Sequence, residues 1–407
     1  MIWEQIRSNQ IRSTMLVVLM GVLLLALGYF LGEIFFGSAI AGLIIALIIW
    51  GIMNLVALTQ GDSILLAVSG ARKIEKQDHP RLFNVVEEMK IASGLEKMPD
   101  IYIIDDPALN AFATGRDANH ASVAITSGLL QKLNRDELQG VIAHEIGHIR
   151  NRDVQLMVML SVLLGSIVML SWYATRFIFF AGVAGGGRRG SSRGGGGGGG
   201  QIIILVVGIV LMILAPILAQ LIYFAVSRKR EYLADASSAL YTRYPEGLAS
   251  ALEKLANSNT KVQKANRATA PMYIINPLQK KSSLSAEGIT STHPPIAERI
   301  RILRAMGGAS YAAYNEAYKS TKGAGVMPAS ALATPAMGLR EASPDQGPVE
   351  DLPDRIQRTR ETSDMLWQKS NYHTIDCDCG TRLRVSPGYR SPTVQCPHCG
   401  RIHPTPK

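Results

Sequence analysis

None of the first 376 residues of this 407-residue chain is a cysteine. A disulfide framework is thereby excluded for nearly all of it, and its order must come from packing. Charge is also sparse, with Asp, Glu, Lys and Arg at 18% of residues against the ~25% usual in soluble domains. Apolar residues make up 47%. They concentrate in four runs, at residues 15–36, 39–58, 154–181 and 202–226, each near the ~20 residues that cross a bilayer as a helix. Four buried core helices of that length would need a much larger protein to cover them, so the runs are expected to be membrane spans. No small-residue cleavage site follows the first run before the second begins. It is therefore expected to remain as an anchor and not to leave as a signal peptide.

The formal net charge of +10 could signal nucleic acid, but in a membrane protein it reads as a positive-inside bias. Arg7 and Arg12 precede the first span, Arg72, Lys73 and Lys76 follow the second, and Arg228, Lys229 and Arg230 follow the fourth. Those ends are expected in the cytosol. Arg188, Arg189 and Arg193, between the third and fourth spans, run against the rule. Residues 185–200 are almost all Gly with some Ser and Arg and no interleaved aromatics, so a flexible connector is expected there and no nucleic-acid partner.

The region from about residue 69 to 153 reads as mixed α and β. A helical pattern through Leu82, Val85, Val86 and Met89 stops at Gly94. Strand candidates at 101–104, 111–115 and 122–126 predict a small antiparallel sheet. A helix starts at Asn134, with Glu137 placed for a capping box. Another covers 247–256. The expected organisation is a transmembrane hairpin at 1–66, a catalytic domain at 67–306 interrupted by the last two spans, a flexible linker at 307–370 and a small cysteine module at 371–407.

His144-Glu145-Ile146-Gly147-His148 is an HExxH motif on the helix that begins at Asn134. The i, i+4 spacing puts both imidazoles on one face, where they can bind one zinc ion, and sets Glu145 beside it as general base. By chance such a pentapeptide arises in a chain of this composition with a probability on the order of one in a hundred. A catalytic zinc usually takes a third protein ligand. Glu231 is the best candidate, and Asp235, one turn on, is placed to orient a ligand histidine from behind. A solvated acidic face is the competing reading of that pair. Return of the third and fourth spans to one side of the membrane favours the ligand reading, because His148 and Glu231 then stand together close to the membrane boundary.

Asn110-Ala111-Phe112-Ala113-Thr114-Gly115, the HExxH run, Glu231 to Asp235, and Thr292-His293-Pro294-Pro295 followed by Arg299 together resemble the HtpX proteases, relatives of the CAAX prenyl endopeptidases. The resemblance covers roughly residues 1–307. It implies an integral membrane α+β protein with four transmembrane helices and a zincin-like domain in a bacterial inner membrane, its catalytic part facing the cytosol. It implies Glu231 as zinc ligand and Asp235 as its supporting partner. Asn110, Ala111, Phe112 and Ala113 look like the edge strand that receives an extended substrate, and His293 looks like a transition-state stabiliser, though a structural loop residue is an equal reading. Substrates implied are misfolded or membrane-associated proteins. The competing function is a proteolytically inactive, membrane-tethered scaffold acting through its tail, against which the intact Glu145 counts.

The tail departs from that family's pattern. Cys377-Asp378-Cys379-Gly380 and Cys396-Pro397-His398-Cys399-Gly400 form paired knuckles that read as a zinc ribbon with a second, structural zinc and an unknown partner.

Overall fold

The computed structural model describes residues 2–184, 198–260, 262–263, 273–275, 293–327, 329–333, 337–343 and 352–405. The first two apolar runs lie in α1 (Ile2–Phe36) and α2 (Ala39–Val68), whose start is capped by the Ser38 hydroxyl accepting from the Ala41 N–H. The hairpin is drawn together by glycines: a Cβ on Gly42 would come within 2.1 Å of the Gly28 carbonyl oxygen and 2.5 Å of the Gly32 Cα. Where burying oil against oil gains little, such backbone proximity is what lets two helices attract by packing.

Beyond α2 the chain forms β1 (Ala71–Lys73), α3 (Pro80–Ser93), β2 (Asp100–Ile104), β3 (Ala111–Gly115) and β4 (Ala121–Thr126). All three expected strands are present, but the sheet is mixed and not antiparallel. Its order is β1-β2-β4-β3, with β2 and β4 parallel. The tight turn after Gly115 folds β4 back onto β3. The preceding 105–110 segment is long enough to carry the chain past the neighbouring position, so β4 fills the gap and β3 is left at the edge. β1, at three residues, is too short to show a period.

After α4 (Ser127–Lys132) comes α5 (Arg135–Arg150). Its capping box is complete, with the Asn134 side chain accepting from Glu137 N–H at 2.8 Å and the Glu137 carboxylate accepting from Asn134 N–H at 2.9 Å. The chain then enters α6 (Asp153–Ala184), α7 (Gly198–Thr242), α8 (Pro245–Asn257) and α9 (Ile296–Arg304). Among the described residues, three helices carry stretches long and apolar enough to cross a membrane: Val17–Phe36, Ala39–Val56 and Val158–Arg176. The fourth expected span lies within α7, where the apolar stretch Val206–Leu221 is shorter. The expected Gly-rich connector lies outside the described residues except for 198–200, which open α7.

Residues 307–370, expected as a flexible linker, instead carry α10 (Tyr311–Lys322), α11 (Ala329–Leu332) and α12 (Leu352–Lys369). The Ala- and Gly-rich composition dilutes the helical period there, but the punctuation is sound: Ser310 caps the Ala313 N–H and Gly323 ends α10 in the left-handed region. Tyr314 is fully buried. Arg340 donates to Asp136 and Gln139 of α5 and to the Thr242 carbonyl at the end of α7, tying this segment to both helices. Two hairpins close the described chain, β5 (His373–Asp376) with β6 (Arg382–Val385) and β7 (Thr393–Gln395) with β8 (Ile402–Pro404).

Candidate metal centre

α5 is buried on almost every side, so its polar residues need partners. Small residues let α7 come close enough to supply them. A Cβ on Gly147 would meet the Ser237 Cβ at 3.0 Å, and Ser238 donates to the Gly140 carbonyl at 2.8 Å. This approach places Glu231 of α7 against both histidines of α5. His144 Nε2 is 3.6 Å from Glu231 Oε2, and His148 Nε2 is 3.4 Å from Glu231 Oε1. One ligand atom from each of the three lies within 4.8 Å of the others.

The opposite ring nitrogens are committed elsewhere. His144 Nδ1 faces Asp235 at 3.0 Å, and His148 Nδ1 faces Asp153 at 3.2 Å. A Nδ1–H donated to each carboxylate fixes the tautomer and leaves both Nε2 lone pairs aimed at one point. Tetrahedral zinc at ~2.05 Å from nitrogen or oxygen spaces its ligand atoms about 3.3 Å apart, close to the distances found. Glu231 Oε2 is buried and accepts no hydrogen bond. A buried carboxylate oxygen of that kind fits a metal ligand, and the two-nitrogen, one-carboxylate donor set is that of a catalytic zinc.

Arg299, fully buried, neutralises the back of the site. Its Nε and one terminal nitrogen donate to Asp235 at 2.8 and 2.6 Å, and its other terminal nitrogen is 3.2 Å from Glu231. Burial opposes charge on Asp235, but Arg299 and His144 hold its carboxyl below the ordinary range. Burial likewise opposes charge on Glu231, yet His293, His144, His148 and Arg299 keep it ionised. Burial works against protonation of His148, and the hydrogen bonds to Asp153 and Glu231 outweigh it, so its pKa is raised to about 10; a metal at Nε2 would displace that proton. Burial pushes the Glu145 carboxyl up, against the opposing pull of His144 and His148.

His293 is buried, with Nε2 3.6 Å from Glu231 Oε1, and burial drives its pKa down to about 4. The residues expected at the site, His144, Glu145, His148, Glu231, Asp235 and His293, are thus brought together. Asn110 to Ala113 lie at the start of the edge strand, with Ala111 and Ala113 packed in the same core as the motif helix. Two participants went unforeseen. Asp153 supports His148, and its only signal is a carboxylate five residues past the motif, at the start of the next helix. Tyr314, whose hydroxyl is 3.5 Å from Asp235, comes from a segment in which no helix was expected.

The tail gathers a second ligand set. Cys377 and Cys399 sulfurs are 3.4 Å apart and those of Cys379 and Cys396 are 3.6 Å apart, all four lying within 4.8 Å. Four thiolates around zinc at ~2.3 Å stand about 3.8 Å apart, whereas a disulfide needs ~2.05 Å, so these spacings fit the metal. Gly380 and Gly400, at φ +83° and +74°, let each knuckle turn back, with their N–H groups donating to the carbonyls of Cys377 and Cys396. Thr381, 3.2 Å from the Cys379 sulfur through its hydroxyl, pulls that thiol's pKa down, whereas the neighbouring thiols push that of Cys399 up.

Peptidase family M48 matches residues 76–307 of the chain. A protease HtpX homolog of Dictyoglomus turgidum is 45% identical over 311 residues, covering 75% of this chain and 95% of that relative. A protease HtpX homolog of Streptococcus pneumoniae is 42% identical over 307 residues, covering 75% of this chain and all of that relative. The crystal structure of S. mikatae Ste24p superposes with a TM-score of 0.40 at 22% identity, over 74% of this chain and 66% of that one. The family match stops short of α10 and the cysteine module. Its extent, and relatives this similar over nearly their whole length, show that the chain belongs to the M48 peptidases, among the HtpX-type membrane metalloproteases.

Proposed function

We propose that the chain is a membrane-bound zinc endopeptidase that hydrolyses misfolded or membrane-associated proteins at the cytosolic face of a bacterial inner membrane. The observation that carries this reading is the convergence of His144 and His148 from one helix with Glu231 from another, with Glu145 beside them on the same buried helix. In this reading four spans hold the protein in the bilayer with both termini cytosolic. Charges at the ends of the apolar runs support that orientation.

His144, His148 and Glu231 hold the catalytic zinc. When bound, zinc acidifies water and polarises the scissile carbonyl. Glu145 takes the proton of the attacking water and passes it to the leaving amine, a task that suits a carboxyl raised by burial. Asp235 and Asp153 keep the two imidazoles in the binding tautomer, and Arg299 holds Asp235 in place. His293, buried beside Glu231, is positioned to donate an N–H to the oxygen that gains charge in the transition state. Asn110 to Ala113 offer the edge on which substrate backbone lies. Cys377, Cys379, Cys396 and Cys399 hold a structural zinc that orders the terminal hairpins.

The test compares detergent-purified protein with its Glu145→Gln variant, recording zinc content and casein cleavage together. Wild type is expected to cleave, the variant to be inactive, and both to hold about two zinc ions per chain. Two bound zinc ions with no cleavage by either protein would sink the protease reading and favour a tethered scaffold.

A further inference from the structure

The outer edge of β3 is not bare. Ile274 donates its N–H to the Ala111 carbonyl at 2.9 Å. The Asn110 side chain grips the next residue from both sides, Nδ2 donating to the Ile275 carbonyl at 2.9 Å and Oδ1 accepting from the Ile275 N–H at 3.4 Å. One main-chain bond and a side-chain amide serving the next residue thus hold a short, bent segment against the edge in the way that an extended peptide adds to a sheet. Strand period two sends the backbone groups of Ala111 and Ala113 to the same edge, and both residues pack in the core that takes in Ala143 and Ile146 of the motif helix. The added segment therefore lies against the strand that packs on the motif helix.

Side chains follow the same alternation. Ile274 is buried on the face shared by Ala111, Ala113 and α5. Tyr273 points to the other face, where it is fully buried with Phe112, Leu66, Ile104 and Ala124. Its ring meets that of Phe112 edge to face, with centroids 5.0 Å apart at 77°. That arrangement adds to the value of burial alone.

We propose that Tyr273–Ile275 occupies the strand position of an extended substrate, and that the apolar pocket around Phe112 is a subsite for a large aromatic side chain. This deepens the edge-strand reading above and rests on it. The segment's own sequence, aromatic then two branched aliphatics, states the class of substrate: extended apolar peptide of the kind buried in a folded or membrane-inserted protein. Such a peptide must displace the internal segment before it can pair with Ala111. Its apparent affinity is then reduced by the fraction of molecules in which the edge is taken. Leu66, at the end of α2, forms one wall of the pocket, so the aromatic side chain is received close to the membrane.

Full-length protein in detergent, assayed on extended decapeptides that differ only by Phe, Ala or Asp at one position, tests this. Wild type is expected to prefer the Phe peptide, and Phe112→Ala to lose that preference. Ile274→Pro removes the donated N–H, and Tyr273→Ala removes the ring in case the proline variant fails to fold. Each is expected to lower KM about tenfold with kcat little changed, as for removal of an internal competitor. The proposal is overturned if both variants leave KM unchanged or raise it, or if the three peptides are cleaved alike. Asn110→Ala separates the two levels. If it cuts kcat/KM while the other results fail, only the occupancy by Tyr273–Ile275 falls; if it changes nothing, the edge-strand reading falls with it.

Discussion

At the scale of single residues, the metal centre depends on a cation that binds no metal. Arg299 is the one guanidinium bridging Asp235 and Glu231, and all three side chains are buried. Removing one member of a buried charge cluster leaves the rest uncompensated and costs about 3–5 kcal/mol. Arg299→Ala is accordingly expected to lower thermal stability sharply and to reduce zinc retention. Arg299→Lys is expected to rescue little, because a point charge cannot make the paired donation to Asp235. Zinc content after gel filtration, with melting temperatures alongside, checks both; normal zinc content in Arg299→Ala would contradict the assignment. Arg299 was visible in the sequence only as part of a family resemblance. Nothing in its local spacing says that it faces a carboxylate 64 positions earlier.

At the scale of elements, the helices declared themselves and the sheet's order did not. HExxH and its capping box fix α5, because both depend on neighbours three or four residues apart. The parallel pairing of β2 with β4 depends on where a loop carries the chain, which no period records. Ala-rich α10 was misread as linker because helical alanine leaves no polar-apolar contrast. Where the elements meet, two expectations follow. Gly42→Leu would push side chain into the α1 backbone, and is expected to loosen the α1–α2 hairpin and lower the yield of folded protein in detergent. His79 caps α3 by accepting from the Leu82 N–H through Nδ1. Burial lowers its pKa from the ordinary ~6.5, so it is neutral when folded. A folded-state pKa below the unfolded one gives stability that is full above ~6.5 and is lost as pH falls from there through the lower folded-state value. Melting at pH 7.5 and 5.5 is expected to differ less in His79→Asn, which caps without titrating, than in wild type. An equal pH dependence in both would refute this.

At the scale of the whole molecule, two metal sets of opposite character sit on one chain. The catalytic set is sunk among helices, while Cys379 and Cys399 of the tail are exposed. Among the described residues the tail buries only Cys377, Leu383, Val385 and Cys396, with Ile375 and Val394 partly buried beside the cysteines. So small a core cannot hold without metal. Chelation is expected to open all four cysteines to maleimide labelling before far-ultraviolet dichroism falls, since the helices do not need that zinc. Labelling of wild type without chelator would argue against a zinc-bound tail.

Helix α7 runs unbroken from the last apolar run to the site, and Glu231 follows Val226, the end of that run, by five residues. That is a rise of about 8 Å. An extended peptide advances about 3.3 Å per residue, so a substrate anchored in the same bilayer presents its second or third residue beyond the membrane at the height of Glu231. In proteoliposomes, a single-span substrate should be cut there, and inserting five polar residues before the cleavable sequence should move or abolish the cut. The protease would then measure how far a chain stands from the lipid before testing which side chains it bears.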